Sequence, residues 1–313
     1  MILEITEPGA YLSRNHDQFI IKLNDQKREI PAVKVDGITI SCNALITTSA
    51  IQLCLERKIQ LVLCNYTGRP YCRLWYPSSG KNTELRRRQY LAIRNSIGIQ
   101  IIQHILKIKF EEQRKLLIDL SNNRKFKTSE TIQALKILND SIKSLNTLPM
   151  NNVKQTLLGI EGNCSNNYFQ AINSILPSKW KFSKRSQHPA NDPFNALLNY
   201  AYGMAYQEVE KIIILSGLDE NAGLYHADQY GKPTLSFDLI EISRPKIDRL
   251  VITLISKRKA KDNWFEYNEG EVSLSKIGRI QLIKAFHDKV RLSLQKETWT
   301  LTRWVIDKLM GGE

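Results

Sequence analysis

The hydrophobic period of this chain changes once, near residue 80, and that change limits the fold more than any other feature. Before it, short β-branched or alternating runs are separated by turn signals such as Asn24-Asp25 and Asp36-Gly37. They predict strands at Tyr11–Arg14, Gln18–Leu23, Arg28–Pro31 and Gly37–Ser41, a buried strand at Ile59–Cys64 and a last one at Pro70–Trp75. One helical pattern interrupts them at Thr47–Arg57, with Thr47 or Thr48 placed to cap it. Beyond Glu84, apolar positions recur every three or four residues (Leu91, Ile97, Ile101, Ile105, Ile108), the period of amphipathic helices. Helical patterning continues through Val153–Leu176, Pro193–Leu215, Phe237–Ser256, Ser275–Ser293 and Trp299–Met310. Tyr76-Pro77-Ser78-Ser79-Gly80-Lys81-Asn82 has a linker's composition. The expected fold is α+β: a small β-rich domain over residues 1–76, a linker over 77–84 and a larger all-α domain over 85–313.

Charge narrows the function. The chain carries 45 Lys and Arg against 31 Asp and Glu, a net +14 that attracts polyanions. Residues 1–80 hold nine basic and seven acidic side chains, whereas residues 81–127 hold twelve and four. A solvated helical face accounts for a charge run by itself; clustering of this size favours a nucleic-acid surface, with Arg86, Arg87, Lys184 and Arg244 among its candidates. The richest apolar stretch, Ile97–Leu106, contains Gln and His, so no membrane span is expected. The N-terminus lacks the pattern of a secretory signal, and the five cysteines are odd in number with no two-residue spacing. They read as buried apolar residues in a reducing compartment, with the cytoplasm as the expected location.

Hard divalent cations that activate phosphodiesters take oxygen ligands, sometimes with an imidazole. Acids or histidines in apolar surroundings are therefore the places to look, because an unpaired buried charge is costly. Glu161 lies in Leu157–Ser165, between Gly159 and Gly162, which suit a close approach of backbone or ligand; an exposed helix edge explains it equally well. His226 lies in the glycine-punctuated segment from Gly217 to Asp228, where a satisfied structural histidine is the plain alternative. Asp238 and Glu241 are three apart in Ser236–Pro245 and share a helix face if that segment is one helix. Ser236 as a cap and acids in the first turn explain Asp238 without a metal, and Arg244 is placed to pair with either acid.

At these residues the sequence resembles the CRISPR-associated integrase family, Cas protein one. The likeness rests on GIEG at Gly159–Gly162 with Tyr168-Phe169 after it, DPFNALLNYAYG at Asp192–Gly203, GLDENAGLYH at Gly217–His226 and TLSFDLIEISRP at Thr234–Pro245. Residues 31–70 resemble the family's β-domain, and RRRQY at Arg86–Tyr90 the start of its helical domain. The resemblance implies a metal-dependent DNA endonuclease and integrase that inserts spacer DNA into CRISPR repeat arrays by 3′-OH transesterification. It places metal ligands on Glu161, His226 and Glu241, for Mg²⁺ or Mn²⁺, with Asp238 close by. It also places Tyr168 and Arg185 where members touch DNA or support the site. Double-stranded DNA, a homodimer formed through the β-rich domain and a small second Cas protein are the implied partners. Two other readings stay open: a structure-specific nuclease acting on branched DNA with water as nucleophile, and a non-catalytic nucleic-acid scaffold.

Overall fold

The computed structural model describes residues 1–24, 26–65, 68–74, 80–124, 128–148, 152–186, 189–226 and 232–311. The first part holds eight strands and one helix: β1 (Ile2–Ile5), β2 (Tyr11–Asn15), β3 (Gln18–Leu23), β4 (Gln26–Pro31), β5 (Gly37–Ile40), β6 (Leu45–Ile46), α1 (Thr48–Arg57), β7 (Gln60–Cys64) and β8 (Pro70–Arg73). They form two four-stranded sheets, ordered β1-β5-β7-β8 and β4-β3-β2-β6. Strands β1 and β6, too short to show a period, were not among the expected ones, and each joins its neighbour in parallel. Parallel pairing needs a crossover, and α1 supplies the one between β5 and β7. Thr47 Oγ1 accepts the Ala50 amide at 3.2 Å to start α1, as its position predicts. Ala50, Leu53 and Cys54, at helical spacing, pack into a core with Leu12, Phe19 and Ile38.

The second part is mostly helical: α2 (Gly80–Ala92), α3 (Ser96–Arg124), α4 (Ser129–Ser144), α5 (Val153–Ile175), α6 (Pro193–Leu215), α7 (Thr234–Leu239) and α8 (Arg244–Ser256). A hairpin follows, β9 (Phe265–Asn268) with β10 (Glu271–Leu274), and then α9 (Lys276–Phe286) and α10 (Leu292–Met310). Helix α2 begins inside the expected linker, whose residues 77–79 lie outside the described ones. The hairpin departs from an all-α reading. Its two-residue loop places Glu269 and Gly270 at φ 44° and 85°, the turn that suits right-twisted strands.

The helix expected at Phe237–Ser256 is broken. Pro245 occupies the first turn of α8, where its missing N–H is harmless, and a 3₁₀ turn at Ile240–Ser243 joins α7 to α8. Ser236 does not cap: it lies within α7, and its hydroxyl has no hydrogen-bond partner among the described residues. The patterns at Ser275–Ser293 and Trp299–Met310 merge instead, α9 passing into α10 through a π turn at His287–Arg291. Cys54, Cys64 and Cys164 are buried as expected, but Cys72 is exposed and Cys42 half-buried. No helix among the described residues is long and apolar enough to cross a membrane.

The two parts pack directly. Val62 and Cys64 of β7 meet Ile214 and Leu215 at the end of α6, with Ile2 and Trp299 beside them. Gly37 in β5 makes this approach possible, since a Cβ there would fall 2.7 Å from Leu215 Cδ2. Helix α6 then runs through the helical core, burying residues along its whole length from Phe194 to Leu215.

Candidate metal and DNA site

Helices α3, α5, α6 and α8 and the α7–α8 turn enclose a cavity of about 380 Å³. Glu161, His226 and Glu241 line it, with Lys109, Lys184, Arg185, Tyr202, Arg244 and Asp248. The 3₁₀ turn matters here, because it delivers Glu241 into the interior at 2% exposure. Arg244, three residues on, donates from Nε to Glu241 Oε1 at 2.7 Å and from its terminal nitrogen to the Tyr206 hydroxyl at 2.6 Å. Burial opposes ionisation of Glu241, but Arg244 and then Lys109 overcome it and lower its pKa to about 2.

Lys109, on α3, is the residue sequence reading missed. It is 3% exposed, and its Nζ lies 2.6 Å from Glu161 Oε1 and 2.5 Å from Glu241 Oε2. Burial alone would discharge it, yet Glu241 and Glu161 raise its pKa above the ordinary lysine value. A signal was available: Ile101, Ile102, Ile105 and Leu106 mark the buried stripe of α3, and Lys109 and Gln113 continue it with polar side chains. Glu161 is also bound from the other side, its Oε2 accepting the Tyr225 hydroxyl at 2.8 Å. Gly159 and Gly162 have nothing near the place a Cβ would occupy, so no packing demand within the described chain explains them.

Asp238, 1% exposed, faces a different way from Glu241. Its oxygens accept the backbone amides of Leu224 (2.6 Å), Tyr225 (3.0 Å) and His226 (3.1 Å), and the His226 Nδ1–H at 2.6 Å. One carboxylate thus fixes the backbone of the histidine-bearing segment and the orientation of its ring; residues 227 and 228 of that segment lie outside the described ones. Burial disfavours the charged imidazole, but Asp238, then Glu241 and Glu161, outweigh it and raise the His226 pKa. Deeper, Asp248 accepts the hydroxyls of Tyr168 at 2.7 Å and Tyr202 at 2.5 Å. Burial raises its pKa to about 6 against those two bonds.

The other expected residues divide. Lys184 and Arg185 line the cavity; Arg185 bonds Asn195 and Asn199 and lies 5.3 Å from the Phe169 ring centre and 5.9 Å from that of Tyr202. Tyr168 is wholly buried on Asp248, which fits support and not DNA contact. Arg86 bonds the Gly217 carbonyl at 3.0 Å and Arg87 pairs with Glu84 at 3.2 Å; neither lines the cavity.

Among the described residues, no three His, Cys, Asp or Glu side chains stand close enough together to hold a metal ion as they are. The donor set nevertheless suits a hard divalent cation. Two carboxylates already close on one positive charge, and buried Glu241 Oε2 accepts no aligned hydrogen bond among the described residues although the ammonium lies beside it. His226, with Nδ1 donating to a carboxylate, has the partner usual for a ligating imidazole.

The family model described as CRISPR associated protein Cas1 matches residues 3–288. A CRISPR-associated protein Cas1 of Methanobrevibacter ruminantium is 30% identical over 278 residues, 85% of this chain and 82% of that protein. A CRISPR-associated endonuclease Cas1 of Archaeoglobus fulgidus is 30% identical over 297 residues, 90% and 86% of the two chains. The fold is shared with a chain of a partial Cas6-RT-Cas1–Cas2 complex at TM-score 0.81 and 22% identity, covering 99% and 95%. A casposase bound to integration product gives 0.76 and 20%, covering 100% and 97%. A model match over nearly the whole length, with curated relatives at 30% identity over 85% and 90% of the chain, has one meaning: the chain belongs to the CRISPR-associated Cas1 family.

Proposed function

We propose that this protein is a metal-dependent DNA endonuclease and integrase, which joins a DNA 3′-hydroxyl into CRISPR repeats by transesterification. The observation that carries the reading is the meeting of Glu161 of α5 and Glu241 of the α7–α8 turn on one buried cation at the wall of a cavity edged with further positive charge. Homologues named endonucleases support it. Glu161, Glu241 and His226 would hold Mg²⁺ or Mn²⁺, which when bound supplies a Lewis acid for the scissile phosphodiester and its leaving oxygen.

The chain's own residues do the rest. Asp238 keeps His226 in place and, by accepting the hydrogen bond from Nδ1–H, holds the proton on Nδ1 and leaves the lone pair on Nε2. Arg244 fixes the Glu241 carboxylate, and Tyr225 fixes Glu161. Lys184 and Arg185, on the cavity wall, attract and align the phosphate backbone, the main contribution a protein makes to a near-balanced exchange of phosphodiesters. Duplex DNA and a small second Cas protein are the proposed partners, the second after the Cas1–Cas2 complex whose chain shares this fold, and the β-rich part is proposed to pair two copies of this chain.

The test offers the protein a short duplex with free 3′ ends and a supercoiled plasmid carrying a repeat. Joined products are expected from the wild type, with joining reduced about a hundredfold or more in Glu161→Gln and His226→Ala at unchanged circular dichroism. Cleavage without joining would favour the branched-DNA nuclease. Full activity in either variant would remove the metal site.

A further inference from the structure

Lys109 holds a position that the metal reading leaves unexplained. Glu161 and Glu241 bring two negative charges, and Lys109 and Arg244 bring two positive ones, so the charges of these four ion-paired side chains cancel. A divalent ion taken up by the same carboxylates while the ammonium stayed between them would set two further positive charges directly against a buried one. One turn further along α3, Gln113 is 2% exposed and lines the same cavity, yet its Oε1 accepts no hydrogen bond among the described residues. A buried acceptor without a donor is unfavourable, and side chains four apart on a helix are neighbours. The orphan oxygen is therefore a landing place within reach of the lysine.

We propose that Lys109 is a placeholder for the divalent ion: it gathers Glu161 and Glu241 in the metal-free protein and withdraws toward Gln113 Oε1 when the ion is bound. The inference rests on the metal reading above and adds a direction to it. A placeholder competes with the metal, so its removal tightens metal binding while loosening the metal-free fold. A lysine that only positions the carboxylates does the opposite, and its removal weakens metal binding.

The experiment titrates the full chain with Mn²⁺, counting free ion by electron paramagnetic resonance, in wild type, Lys109→Met, Lys109→Gln and Glu161→Gln. Both lysine variants should bind Mn²⁺ about tenfold tighter than wild type, a coupling of ordinary size. Their metal-free melting temperatures should fall, and the rise on adding Mn²⁺ should grow. Equal or weaker binding in the lysine variants overturns the placeholder. Binding in wild type that survives Glu161→Gln unchanged, or no binding at all, overturns the metal reading and the placeholder with it, so the two failures are distinct. If neither lysine variant folds, reductive methylation of wild-type Lys109 followed by mass spectrometry decides the matter. Faster labelling with Mg²⁺ supports withdrawal into the cavity, and unchanged or slower labelling refutes it.

Discussion

Four buried or half-buried carboxylates show how far partners decide the state of an acid. Glu241 has two cations and stays ionised far below the ordinary range. Asp248 is hydrogen-bonded by two neutral tyrosines, with Arg185 and Arg244 acting through space, and burial outweighs them all and raises it to about 6. Asp238 is enclosed by three backbone amides and an imidazole. Glu210 on α6 is the poorest served: burial raises its pKa to about 7, Arg69 opposing the rise and Glu220 adding to it. A carboxyl whose pKa is higher folded than unfolded binds a proton more tightly in the native state, so the native state loses stability as pH climbs from about 4.5 to about 7. Glu210→Gln mimics the protonated form. It should melt with wild type at about pH 5 and above it at about pH 8; a gap of the same size at both would contradict this account.

Where an element ends is set as strictly as where it runs. The α7–α8 break falls where Pro245 lacks the N–H that a continuous helix would donate to the Glu241 carbonyl. The hairpin and α9 meet at Gly278, where an added Cβ would fall 2.3 Å from the Trp264 carbonyl oxygen, a backbone atom with no rotamer to escape by. Ser275 caps α9 here by accepting the Gly278 amide at 3.1 Å. Gly278→Ala should cost about 3 kcal/mol, read from the urea midpoint at constant slope. A change within about 0.5 kcal/mol would show that the hairpin moves freely against α9.

Across the whole molecule, the β-rich and helical parts are joined by apolar contact and by charge. Arg291, set by the π turn, pairs with Glu4 of β1 and Glu208 of α6, and Gln295 bonds the same two acids. The helical part therefore presents its cavity at a fixed attitude to the sheets. The net charge of +14 belongs to this scale as well, since it acts through the summed field and not through one contact. Duplex DNA affinity should fall by about a thousandfold or more between about 50 and 200 mM salt, if about six phosphates are neutralised. A fluorescence-anisotropy titration that stays flat over that range would exclude a phosphate-tracking surface.

The sequence by itself determined the order of β-rich and helical parts, several element boundaries to the residue and the basic character, and it singled out Glu161, Asp238 and Glu241, which line the cavity or hold His226 beside it. Those properties are local: a period of two or 3.6, a threonine ahead of a helix and a cluster of charge are written in neighbouring residues. Strands β1 and β6 escaped because two to four residues hold too little pattern, and the hairpin because its strands sit inside a helical context. Only the tertiary structure decided that Asp238 and Glu241, three apart, serve different partners, that Tyr168 is buried on Asp248, and that Arg86 is taken by a backbone carbonyl. It alone placed Lys109 between Glu161 and Glu241, because the charges that compensate a buried ion come from whichever helices pack against it, at any separation along the chain.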